Sequence, residues 1–101
     1  MSEERVDFPD VHQAELDEPT LARLFEDLAA HAEVLEVRAK SASRAMADGG
    51  SITLEDARAL LASRSVRGVQ VRYRHGGELW MDTLMAGPTR VRLVRTRVPS
   101  R

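Results

Sequence analysis

The chain has 101 residues, 43% of them hydrophobic, and a net charge of −1, which suffices for one domain around a single core. It holds no cysteine, so disulfides, thiolate metal ligands and cysteine nucleophiles are excluded together, in keeping with a reducing compartment. No apolar run approaches the roughly 20 residues that span a bilayer, and Ser2, Glu3 and Glu4 open the chain without the basic-then-apolar order of an export signal; a cytoplasmic protein with no membrane partner is expected.

The near-neutral balance hides a division. Residues 1–63 carry Arg5, Arg23, Arg38, Lys40, Arg44 and Arg58 together with every acid except Glu78 and Asp82, whereas residues 64–101 are rich in arginine. Halves of opposite sign attract within a chain, between copies or through partners.

In chain order, residues 1–17 read as an acidic flexible tail, with Pro9 among scattered acids and no helical or strand period. Val6, Phe8 and Val11 alternate weakly, so an edge strand is the alternative. A helix is predicted from Glu18 and Pro19, where proline loses no needed donor and acids suit the macrodipole. Leu21, Leu24, Phe25 and Leu28 share one face of it, and His31 follows at helical spacing as a packed or dipole-favoured residue rather than a ligand.

Glu33 to Lys40 forks. Leu35, Val37 and Ala39 alternate with Glu36, Arg38 and Lys40, which predicts a half-buried strand, while a helix continuing to about Ala47 is the alternative. Asp48, Gly49, Gly50 and Ser51 end either reading. Thr53 then caps a short helix, with Asp56 completing a capping-box-like arrangement, Ile52 placed as a staple, and Leu54, Ala57, Leu60 and Leu61 as the buried stripe.

From Gly68 to Thr96 three alternating segments are separated by Gly76-Gly77 and Gly87-Pro88, the pattern of an antiparallel meander. A two-residue turn at Gly76-Gly77 sets Tyr73 opposite Trp80 and Val69 opposite Leu84. A loop over Ala86 to Thr89 sets Met85 opposite Arg90, Leu84 opposite Val91 and Asp82 opposite Leu93. One face then collects Val69, Val71, Tyr73, Trp80, Asp82, Leu84, Val91 and Leu93 as the core side. The other collects Gln70, Arg72, Arg74, Leu79, Met81, Thr83, Arg90, Arg92 and Val94. A three-residue first loop would flip the middle strand and put Trp80 among the arginines. The whole is an α+β domain over residues 18–96, a three- or four-stranded, mainly antiparallel sheet with two helices on one face, followed by a flexible tail over 97–101.

Chemistry is sparse. His12, His31 and His75 have no ligand-like spacing, no serine sits in a nucleophile elbow, and the glycine pairs lack the lysine and hydroxyl of a phosphate loop. No cofactor, metal or catalytic residue is assigned. Asp82 points into the apolar face, where a carboxylate needs a partner; Tyr73, the Trp80 indole, a loop and Arg95 are candidates. The functional alternative is a small-ligand pocket or enzyme site formed by Tyr73, His75, Trp80 and Asp82.

The opposite face is more informative. Arg72, Arg74, Arg90 and Arg92 surround Leu79, Met81 and Val94, a composition suited to a protein interface. The expectation is a non-catalytic adaptor or accessory protein that meets an acidic apolar surface or a second copy of itself. Nucleic acid is the alternative partner for the same basic face. It is disfavoured because Tyr73 and Trp80, the residues able to stack on bases, fall on the other side.

Overall fold

The computed structural model describes residues 11–40 and 52–99. The expected alternation of Val6 and Phe8 and the break after Lys40 lie outside the described residues.

Asp17 caps the first helix, α1 (Glu18–His31), by accepting the Thr20 backbone N–H at 3.0 Å. This bond satisfies one of the donors a helix start leaves open. Leu21, Phe25 and Leu28 are its buried positions, spaced to form one apolar stripe. The second helix, α2 (Leu54–Ala62), starts as expected with Thr53 accepting the Asp56 N–H at 3.0 Å, and buries Ala57 and Leu61. It ends in a Schellman arrangement: the Ser65 N–H reaches the Leu60 carbonyl and the Arg64 N–H reaches that of Leu61. Arg64 sits there at φ 59°, where glycine is the usual occupant.

Among the described residues the sheet contains five strands: β1 (Val11–Leu16), β2 (Glu33–Lys40), β3 (Gly68–His75), β4 (Glu78–Ala86) and β5 (Val91–Val98), ordered β1-β5-β4-β3-β2 with every neighbouring pair antiparallel. The α+β class and the one-sided helices are as expected, whereas the three- or four-stranded sheet is corrected to five. The added member is β1, in the span read as a flexible tail. It pairs along the outer side of β5, from Val11 opposite Thr96 to Leu16 opposite Val91, so the backbone groups on that edge of β5 gain ladder partners. β5 likewise runs on to Val98, past the expected boundary at Thr96.

The strand reading of Glu33 to Lys40 holds, with one difference. A bulge between Val34 and Glu36 lets Leu35 turn outward, 41% exposed, instead of joining Val37 in the core.

In the meander, Gly76 and Gly77 take φ 63° and 80°, both positive as a type I′ turn requires. Tyr73 faces Trp80 and Val69 faces Leu84 as predicted. The second loop is displaced by one residue. It spans Gly87 to Arg90, closed by the Gly87 N–H to the Arg90 carbonyl at 2.8 Å, and pairs Leu84 with Leu93, Met85 with Arg92 and Asp82 with Arg95. A shift of two along the partner strand preserves which face each side chain occupies, so both predicted faces survive apart from Arg90. The helices pack on the face of Val69, Val71, Tyr73, Leu84, Val91 and Leu93. Burying each such aliphatic side chain contributes about 2 kcal/mol.

Comparing two substitutions at one site isolates the backbone term at the end of α2. Arg64→Gly is expected to be more stable than Arg64→Ala by about 1 kcal/mol in urea unfolding, because both lose the same side chain and only alanine retains the left-handed penalty. Equal stabilities would show that the turn relaxes without cost.

Candidate functional site

Strand register distributes the polar side chains between two faces. On the face away from the helices, β4 contributes Leu79, Met81, Thr83 and Met85, standing opposite Val98, Thr96, Val94 and Arg92 of β5. β3 contributes Gln70, Arg72 and Arg74, and β2 adds Glu36 and Arg38 opposite Arg72 and Gln70. Leu79, Met81, Met85, Val94 and Val98 are half-buried, packed sideways on their neighbours, whereas Arg72, Arg74 and Arg92 are exposed.

Part of this positive charge is answered locally. Glu36 receives Arg38 Nε at 2.8 Å and Arg72 Nη2 at 3.0 Å, one on each carboxylate oxygen. Arg92 reaches only the neutral amide oxygen of Gln13, at 3.5 Å, and Arg74 has no carboxylate partner among the described residues.

The structure therefore brings Arg72, Arg74, Leu79, Met81 and Arg92 to one face and separates Arg90 from them. Arg90 lies in the turn before β5, beside Asp17, where it lines a small cavity with Arg58 and Arg64. The correction follows directly from the one-residue displacement of the loop. Asp17 is held below the usual carboxylate range chiefly by Thr20, with a smaller contribution from the Arg90 charge. Sequence reasoning omitted Arg38, Met85 and Val98 from the outer face. The alternation of Glu36, Arg38 and Lys40 carried the signal for the first of these.

On the helix side Asp82 is completely buried and saturated with partners. The Tyr73 hydroxyl donates to Oδ1 at 3.0 Å, while Arg95 donates Nε to Oδ1 and Nη2 to Oδ2, both at 2.8 Å. The guanidinium also lies 5.9 Å from the centre of the Tyr73 ring, within cation–π range. Two of the partners named from sequence are the ones used, and the observed register is what sets Arg95 opposite Asp82. Burial, and then the Asp82 charge, push the Tyr73 hydroxyl well above its ordinary value near 10, with Arg95 opposing. The hydrogen bond to Asp82 likewise holds Arg95 more firmly protonated.

Tyr73, His75 and Trp80 line a hollow beside this anchor, with Asp82 beneath it rather than in its wall. No group of three His, Asp or Glu side chains among the described residues is placed to hold a metal ion. No helix among them is long and apolar enough to cross a membrane. No protein-family model, curated protein or solved structure matches the chain.

Because the folded state keeps Tyr73 protonated, its contribution to stability is intact below about pH 10 and is lost as pH rises beyond it. Wild-type stability is expected to fall above that pH with the single tyrosine ionising only on unfolding, as ultraviolet absorbance would report. Tyr73→Phe should lose about 2 kcal/mol at neutral pH and show a flatter alkaline decline. Parallel declines in the two proteins would assign the effect to other groups.

Proposed function

We propose that this protein is a non-catalytic binding module whose outer sheet face docks onto an acidic, partly apolar surface of another protein. The carrying observation is the one-sided placement of the helices, so that no helix or strand among the described residues covers the half-buried apolar centre of Leu79, Met81, Met85, Val94 and Val98, bordered by Arg72, Arg74 and Arg92. An antiparallel sheet with a solvent-facing side ordinarily carries polar residues there. Methionine and arginine are among the residue types enriched at protein interfaces.

The charge pattern favours a different protein over a second copy. Two such faces stacked on each other would set arginine against arginine, and like-charge juxtaposition costs several kcal/mol, about enough to offset a modest apolar contact. An acidic rim on the partner would instead engage Arg74 and Arg92. Single-stranded nucleic acid is less well suited, because bases are held by aromatic side chains beside the basic groups, whereas Tyr73 and Trp80 project toward the helices.

The charge reversal Arg74→Glu with Arg92→Glu tests this reading, since both side chains are exposed and neither pairs with a carboxylate among the described residues, so the fold should be unaffected. Wild-type protein is expected to retain one identifiable partner whose complex re-forms from purified components. The reversed variant and Met81→Lys should weaken that complex about tenfold or more, and Glu26→Lys on the exposed side of α1 should leave it unchanged. Unaltered association of the outer-face variants would overturn the proposal. Light scattering that shows a salt-sensitive dimer would redirect it to a second copy. Binding of mixed oligonucleotides with a steep salt dependence would redirect it to nucleic acid.

A further inference from the structure

On the helix side of the sheet, one corner is left open between the C-terminal half of α1 and the edge strand β1. Two adjoining hollows of about 470 and 420 Å³ occupy it and share Tyr73, His75 and Arg95. The first continues under α1 to Leu24, Asp27, Leu28 and His31, with the Asp27 carboxylate at the end away from Trp80; the second, which has no acidic side chain in its wall, runs along β1 past His12 and Ala14 to Trp80 and Leu93. Three histidines far apart in the chain thus border one cleft, together with the single tryptophan. The His12 and Trp80 rings lie 6.3 Å apart, tilted by 44°.

The chemistry centres on Arg95. Asp82 occupies one edge of its guanidinium, through Nε and one N–H of Nη2. Arginine has five N–H donors in a rigid fork, so the end-on edge, Nη1 with the second N–H of Nη2, has no partner among the described residues. The side chain is 32% exposed, and it lines both hollows. A fully buried ion pair is weak as a source of stability, because an apolar replacement often serves as well. A carboxylate that clamps an arginine while leaving one fork facing a cleft has a further use: it pre-orients the donors, which removes part of the ordering cost of binding.

We infer that this cleft is a binding site for a small organic anion, a carboxylate or phosphate carried on a flat apolar body. The anionic group takes the free edge of Arg95, with His75 at its side. The body lies along Trp80, Leu93 and the Tyr73 ring. The volumes are in the range of small-molecule sites, whose walls are mostly apolar with a few placed polar groups. A carboxylate or phosphate matches the two parallel donors that a neutral group would use less well. This site lies on the other side of the sheet from the arginine-bordered face and stands or falls independently of it.

The test is titration with benzoate, phenyl phosphate and uncharged benzamide, followed through the nuclear magnetic resonance signal of the single indole N–H. Benzoate and phenyl phosphate are expected to shift the Trp80 signal to saturation, with benzamide at least about fivefold weaker because it lacks the charge that strengthens the arginine bonds. Arg95→Lys, which keeps the charge but loses the fork, should weaken benzoate by about tenfold, equivalent to 1.4 kcal/mol. Ala14→Phe, which fills the hollow from the β1 edge without replacing any member of the Asp82 cluster, should abolish the shift. Arg92→Ala on the outer face should bind as wild type. Equal binding of benzoate and benzamide, no saturable shift with either anion, or unchanged benzoate binding in a folded Arg95→Lys protein would each overturn the assignment. Should Arg95→Lys fail to fold, unchanged binding by Ala14→Phe does the same.

Discussion

The fold depends on a carboxylate that has nowhere else to go. Asp82 is fully buried on the helix side of the sheet, and its two oxygens are satisfied only when β4 and β5 are aligned so that Arg95 stands opposite it and Tyr73 reaches across from β3. An uncompensated buried charge costs several kcal/mol, a large part of the whole stability of a domain this size. The aliphatic residues around it tolerate sliding better than it does, because burial of apolar surface has no direction. The charged cluster therefore selects one alignment among those the apolar pattern would accept.

That alignment also separates the molecule into two chemically distinct sides. Odd-numbered positions of β3 and β5 and even-numbered positions of β4 face the helices, and the intervening residues face away. A slip by one residue would exchange them, exposing Val69, Val71 and Leu84 and burying Arg72. The basic, apolar-centred outer face and the aromatic-lined corner beneath α1 thus follow from the same constraint.

Much of this was legible because local chemistry and global fold agree. The Gly76-Gly77 pair dictates a two-residue turn, and from it the pairing of β3 with β4 follows. Thr53 and Asp56 announce α2, and the Leu21, Phe25 and Leu28 stripe announces α1. Gly87 and Pro88 mark the second loop but leave its flanks free by one residue, which is enough to hide the pairing of Asp82 with Arg95 and to misplace Arg90. β1 was illegible for another reason. Of its inward positions only Leu16 is buried, while Ala14 and His12 line an open corner, so the usual apolar alternation is missing; the demand for a strand comes from the edge of β5, more than 70 residues later. Leu35 fits an alternating pattern in sequence, yet a bulge between Val34 and Glu36 turns it outward.

The position of β1 bears on how the molecule is made. Its ladder partner is β5, so a nascent chain emerging from the ribosome can assemble β2, β3 and β4 by neighbour pairing while β1 waits for β5 to be synthesised. Closing contacts across so long a stretch of sequence is the slow kind of pairing. Until it happens, β1 remains able to pair with β5 of another chain, the exchange from which intertwined dimers arise.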